Sequence, residues 1–131
     1  QADLIQRKLF TVHLHVYASA NYIAQFGHPK GIDDLDRHRI VTFGEPIPNY
    51  LRGLDALLHL GREGRAPRQP VLEINSIMAV KRAIQRGVGV ALLPDYAVEP
   101  DAGLMRVIED VQLPSFDTFF VYAQNMRSTA K

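Results

Sequence analysis

From Leu9 onward the chain alternates. Phe10, Val12, Leu14, Val16 and Ala18 fall on one face of an extended segment, and Thr11, His13, His15 and Tyr17 fall on the other. A period of two in β-branched and aromatic residues predicts a strand over 9–18. Ser19 is placed to cap a short helix, Ala20–Phe26, that buries Tyr22, Ile23 and Phe26. Gly27 stands where a left-handed C-terminal residue is wanted, and Pro29 forbids continuation. Asp33-Asp34-Leu35 reads as one helical turn before a short strand, Arg39–Phe43. The run Gly44-Glu45-Pro46-Ile47-Pro48 breaks regular structure. Beyond it Tyr50, Leu51, Leu54, Leu57 and Leu58 recur at helical spacing, which predicts a helix from Asn49 to Leu60 with Asn49 as its N-cap. Gly53 weakens that helix by up to about 1 kcal/mol relative to alanine.

Gly61–Pro70 reads as an exposed basic loop and Val71–Ile74 as a strand. Asn75-Ser76 cap a helix to Arg86 whose buried stripe is Ile77, Val80, Ala83 and Ile84, with Lys81, Arg82 and Arg86 toward the end where the dipole favours cations. Gly87 ends it. Val90–Leu93 is a short apolar strand of the buried, parallel type, stopped by Pro94. Leu104–Ile108 and Phe116–Ala123 are two further strands. Strands interleaved with helices in this order predict an α/β fold: a mixed, largely parallel sheet with helices on both faces.

Composition narrows the function. At 131 residues, 47% hydrophobic and 22% charged, the chain is one globular domain. Fifteen Lys and Arg against fourteen Asp and Glu give +1, too balanced for a domain that works by gripping phosphate backbones. With no cysteine there is no disulfide, thiol nucleophile or cysteine-bound zinc. No apolar run approaches the roughly 18 residues of a membrane helix, so no membrane partner is expected. The chain opens on Gln1 rather than Met and reads as a piece of something longer.

Catalytic chemistry finds little purchase. His13 and His15 on one strand face lie about 7 Å apart along the chain, close enough to share a metal, with Asp33 and Asp34 as the nearby carboxylates. The same pair also reads as the polar face of an amphipathic strand. Ser19, Ser76, Ser115 and Ser128 sit in no nucleophile-elbow context. Gly87-Val88-Gly89 follows a helix and precedes a strand, the reverse of a phosphate-binding loop, and reads as a helix stop with close backbone packing. No catalytic residues, resident metal or cofactor are assigned, and an enzyme is not expected. Arg62, Arg65 and Arg68, offset locally by Glu63, read as a solvated loop, with a contact for an acidic partner or nucleic acid as the other reading.

Binding is better supported. Ligands of parallel sheets sit outside the carboxyl ends of the strands. Two strand-to-helix junctions meet that description, Phe43–Tyr50 and Ile74–Ile77. The first is longer, stiffened by proline, and carries Asn49 beside Tyr50. Free N–H groups at a helix start would take a carboxylate or phosphate; capping by Asn49 and core packing by Tyr50 is the other reading.

The order of several runs resembles the effector-binding domain of a LysR-type transcriptional regulator. They are Leu4–Leu9 leading into the long strand, Tyr17-Ala18-Ser19 with Tyr22, Gly27-His28-Pro29, Asp33-Asp34-Leu35 and His38–Val41. Then come Val71–Ser76 with Ala83, Gly87–Pro94, Leu104 and the final strand. The resemblance implies a two-lobed, periplasmic-binding-protein-like (type 2) domain that holds a small effector, a carboxylate among the candidates, between lobes. On that alignment residues 18–115 are the second lobe, and 8–18 and 116–123 are crossing strands to a first lobe that is not in this chain. The DNA-binding helix-turn-helix of such regulators would also lie outside it, so DNA is contacted only through that domain. Carried over by motif, Pro48, Asn49, Tyr50 and Leu93 face the cleft. A homo-oligomer in the cytoplasm is implied, with Ile77, Val80 and Ile84 exposed where the partner's first lobe would sit. Two further readings stay open: a lobe of an exported solute-binding protein, and a metal-dependent enzyme built on His13 and His15.

Overall fold

The computed structural model describes residues 3–123, apart from the side chain of Tyr50. Its elements are β1 (Leu4–Ser19), α1 (Ala20–Phe26), β2 (Val41–Phe43), β3 (Leu72–Ile74), α2 (Ile77–Gln85), β4 (Ala91–Pro94), β5 (Leu104–Val107) and β6 (Ser115–Ala123). Short 3-10 turns fill Ile32–Arg37, Asn49–Leu51, Ala56–Leu58 and Asp95–Ala97.

β1 carries the sheet. On one edge Leu14–Tyr17 pair with β4, on the other Val16–Ser19 pair with β5, and Leu4–His13 pair with β6, all antiparallel. β2 and β3 pair in parallel, and an isolated parallel bridge from Ile40 to Val90 joins them to β4. The mixed α/β class is as expected, but the balance of pairing differs: parallel contacts are confined to β2, β3 and that bridge. β4, read as a parallel strand, has its main ladder antiparallel to β1. Its fully buried sequence follows from being central, with a strand on either side, and says nothing about direction.

The alternation of β1 and β4 splits the core in two. Leu14, Val16 and Ala18 join Leu92, Tyr22, Leu35, Leu51, Leu54 and Leu57 on one face. Tyr17, Ala91 and Leu93 join Val41, Val80 and Ile84 on the other. α1 and the 3-10 turns cover the first face and α2 covers the second. Val80 and Ile84 are buried and Ile77 half-buried against this sheet, as the helical stripe predicts, so the exposure implied by an absent partner lobe is not found. The outward apolar residues nearby are Val71, Leu72 and Met78.

α1 begins where the sequence places it. Ser19 Oγ accepts from Tyr22 N–H at 3.1 Å, removing one orphan donor of the first turn. Phe26 is exposed rather than buried, because it stacks on the outer side of the Tyr22 ring at 4.9 Å, with Arg39 over its other face. Gly89 explains the glycine pair after α2: a Cβ there would stand 2.5 Å from the Arg39 carbonyl oxygen. Only glycine lets Val90 N–H reach Arg39 O at 2.8 Å and form the bridge.

The helix expected over 49–60 is absent. Two 3-10 turns, Asn49–Leu51 and Ala56–Leu58, replace it around Gly53, whose φ is +95°. Positive φ ends a right-handed helix outright. The leucines still point inward because turns of three residues bury nearly the same positions as turns of 3.6.

The basic loop is also not wholly solvated. Arg68 is 6% exposed. Its Nε donates to Asp36 at 2.7 Å, Nη1 to the carbonyls of Leu57 at 3.0 Å and Leu60, and Nη2 to that of Ile32 at 3.4 Å. One planar guanidinium thus serves carbonyls from two separate irregular segments and a carboxylate at once. Arg62 adds a second bond to Asp36, and the two guanidiniums, Arg68 first, hold that carboxyl below its usual range.

Arg68→Met should cost about 2–3 kcal/mol in denaturant unfolding, the range for losing hydrogen bonds to a charged donor, whereas Arg65→Met should cost under about 0.5 kcal/mol, as at ordinary surface positions. A pH dependence also follows. Tyr22 Oη accepts Arg39 N–H at 3.1 Å and lies 2.6 Å from His38 Nδ1, to which it donates when the neutral imidazole carries its proton on Nε2. Burial raises the phenol's pKa and lowers that of His38. The folded state thus favours neutral His38: its contribution is full above pH 6.5 and is lost as pH falls and the unfolded chain takes the proton first. His38→Asn, which keeps an acceptor but does not titrate, should flatten the fall in Tm between pH 6.5 and 5 (approximate window).

Candidate functional site

β2, β3 and β4 run in one direction, so Phe43, Ile74 and Pro94 end at the same side of the sheet. There the chain turns through Gly44–Leu51, Asn75-Ser76 and Asp95–Ala97. β1 runs the other way: Leu14 pairs with Pro94, so residues 4–13 continue past the strand ends as a two-stranded ribbon with β6. The ribbon and the turns enclose an apolar cavity of about 500 Å³, walled by Phe10, Val12, Leu51, Tyr96, Phe116 and Phe119. Tyr96 meets Phe10 edge-on with ring centroids 6.4 Å apart.

The residues expected at the cleft are placed unequally around this cavity. Asn49 is exposed and Pro48 half-buried on the turn that delivers Leu51 to the wall. The side chain of Tyr50 lies outside the described residues. Leu93 is 1% exposed and packs with Tyr17, Val41, Val80 and Ile84. Alternation along β4 turns it toward α2, so it supports the rim from beneath. Pro48, not Asn49, occupies the cap position, and no side-chain bond caps the turn. A three-residue 3-10 turn has no macrodipole to offer, so a helix-start site for an anion does not form there.

Tyr96 and the Phe10, Phe116 and Phe119 rings were not among the expected site residues. The available signal was three phenylalanines within five positions, Phe116, Phe119 and Phe120, on a strand with little polar alternation. Phe120 and Val121 remain 52% and 53% exposed, more apolar surface than a finished sheet edge carries.

A second cavity, about 430 Å³, opens on the other edge of β1. The β6 ladder stops at His13–Ser115 and the β5 ladder starts at Val16–Val107, so Leu14 and His15 have no partner strand on that side. Residues opposite one another share a face, which gathers His13, His15, Arg106 and Ser115 around the gap. Glu109 and Gln112 face them from the connecting loop. Ile108, a buried β-branched residue with φ +53°, makes the turn out of β5. Burial lowers the His15 pKa, Arg106 and His13 lower it further, and Asp95 and Glu109 oppose the shift.

The metal reading gains no third ligand. Among the described residues no group of three His, Asp or Glu side chains is placed to hold an ion. Asp34 is engaged by Lys30 N–H at 2.8 Å and Arg37 at 2.7 Å.

The family model described as LysR substrate binding domain matches residues 1–131. An HTH-type transcriptional regulator from Xanthomonas campestris pv. campestris is 28% identical over 108 residues, which are 80% of this chain and 31% of that protein. The chain thus spans about a third of that relative's length. Among solved structures, the regulatory domain of CrgA, a LysR-type regulator from Neisseria meningitidis, matches with a TM-score of 0.75 at 23% identity, over 97% of this chain and 62% of that one. Full-length AphB from Vibrio cholerae gives 0.68 at 21% identity, over 94% and 42%. The regulatory domain of Synechocystis CcmR in complex with 2-PG gives 0.65 at 16%, over 95% and 59%.

The electrostatics of the second cavity are open to a direct measurement. The imidazole of His15 should titrate by NMR with a midpoint below 6.5, and Arg106→Gln should move it up without restoring the free value, since burial is the larger cause.

Proposed function

Because the chain belongs to the LysR substrate-binding domain family, we propose that it is the effector-sensing module of a bacterial transcriptional regulator. The observation that carries the reading is the apolar cavity at the carboxyl ends of the parallel strands, walled on its far side by the ribbon. Residues 18–115 form the second lobe, and 8–18 with 116–123 are crossing strands. The apolar side chains that the ribbon exposes, among them Leu9, Phe10, Phe119 and Val121, support contact with a further lobe.

The effector is a small molecule with an apolar body, seated against Phe10, Leu51 and Tyr96. Asn49 supplies a polar contact at the rim, with Pro48 stiffening the turn and Tyr50 beside it. A carboxylate fits such a mixed site. Binding between lobes shifts the population of lobe and subunit arrangements, and a helix-turn-helix elsewhere in the regulator reads the shift on DNA. The regulator works as a homo-oligomer in the cytoplasm. The family match favours this reading over a lobe of an exported solute-binding protein.

Titration calorimetry of the intact regulator against a panel of small carboxylates and amino acids tests it. At least one should bind, and Asn49→Ala, Tyr50→Ala and Tyr96→Ala should each weaken it by about ten-fold or more, roughly 1.4 kcal/mol. Unchanged affinity in all three variants would place the ligand elsewhere.

A further inference from the structure

Lys81 sits in the middle of α2 with only 6% of its surface exposed. A buried ammonium is costly unless it is paired. Its partner is Glu99, at 2.5 Å, and this bond is the leading cause of the lowered Glu99 pKa. One turn further along the same helix face, Gln85 Nε2 donates to the carbonyl of Ala102 at 2.9 Å. Both rungs land on one segment, the strap from Asp95 to Ala102 that leaves β4 directly after Pro94.

The strap's first turn also lies against β1, and Tyr96 has a further partner of its own. The strap's internal hydrogen bonds are short turns, Val98 N–H to Asp95 O at 3.3 Å and Ala102 N–H to Glu99 O at 3.1 Å. Val98 alone among its side chains packs against the α2 face of the core. Yet the strap carries Tyr96, which is 58% exposed, lies against Phe10 and forms a wall of the apolar cavity.

We propose that Lys81 is the positioning residue of this cavity: through Glu99, with Gln85 as a second rung, it clamps the strap to α2 and so sets where Tyr96 stands. The role of the cavity as the effector site rests on the functional reading above; the clamp does not. It makes α2 and the Tyr96 wall one mechanical unit, so anything that displaces Tyr96 loads the helix, and any shift of the helix reshapes the cavity.

Hydrogen exchange read residue by residue, without ligand, tests the clamp. Lys81→Met removes the charge while keeping a long side chain, and Glu99→Gln removes the counter-charge while keeping an acceptor for the ammonium. In both, amides of 96–102 should exchange about ten-fold faster, while those of Val16 and Leu92 change far less. The double variant should exchange no faster than Lys81→Met alone, since both act on one interaction. The chain contains no tryptophan, so Tyr96→Trp gives a single emission probe, which Lys81→Met should shift. Strap exchange that stays unchanged in both variants, or that rises only in step with the core, overturns the proposal. Effector affinity is a separate readout: a wild-type protein that binds no member of the panel counts against the functional reading and leaves the exchange result to decide the clamp.

Discussion

One strand holds this molecule together because both of its edges are taken. β1 pairs with β4 through Leu14–Tyr17, with β5 through Val16–Ser19 and with β6 through Leu4–His13, so Val16 and Tyr17 are held on both sides. Its even-numbered residues from Leu14 build one core cluster and Tyr17 enters the second. A slip of one residue would send Val16 and Ala18 toward α2 and drive His15 into the leucines of the 3-10 turns. Register here is therefore a burial constraint, enforced on both faces and both edges at once. The cavity inherits that precision, since Phe10 and Val12 reach it by counting twos along the same strand.

Away from β1 the chain is irregular, and single buried polar groups take over the work of regular ladders. Arg68 gathers the carbonyls of Ile32, Leu57 and Leu60 and the carboxylate of Asp36. Tyr22 ties His38 and Arg39 N–H to the core face of α1. Lys81 and Gln85 hold the strap. Each is a polar head carried on an apolar stem, which lets it pack and bond at once. A low local dielectric strengthens every one of these contacts and also makes each costly to leave unpaired.

Much of this was legible from residue order. The alternation of 10–18 marks β1, Ser19 and Ser76 mark two caps, and the glycines after α2 mark its end and a close approach. The leucines of 49–60 misled because spacing reports only which residues point inward. Gly53 was the contrary signal, and its weight depended on a backbone angle that tertiary packing sets. Arg68 looked like its exposed neighbours Arg65 and Glu63, since no local pattern says which member of a basic run finds carbonyls to serve. The direction of β4 was hidden for a similar reason: a central strand is apolar on both faces whatever its neighbours' polarity. At the cleft, the turn carrying Pro48 and Asn49 was readable from its prolines, whereas the aromatic wall is assembled from β1, β6 and the strap, far apart in sequence. Leu93, expected at the cleft, is buried with Tyr17, Val41, Val80 and Ile84 on the α2 face.

The interruption beside Leu14 and His15 has a mechanical meaning. On either side of it β1 has a neighbour on that edge, β6 below His13 and β5 above Val16. Across the gap the sheet narrows to β1 and β4, and the bending stiffness of a sheet falls with the number of strands sharing the load. Twist or flexure applied through the ribbon therefore concentrates at this pair of residues. The Ile108–Pro114 loop carries the chain across this gap from β5 to β6 and packs Ile108, Val111 and Leu113 on the core beside it.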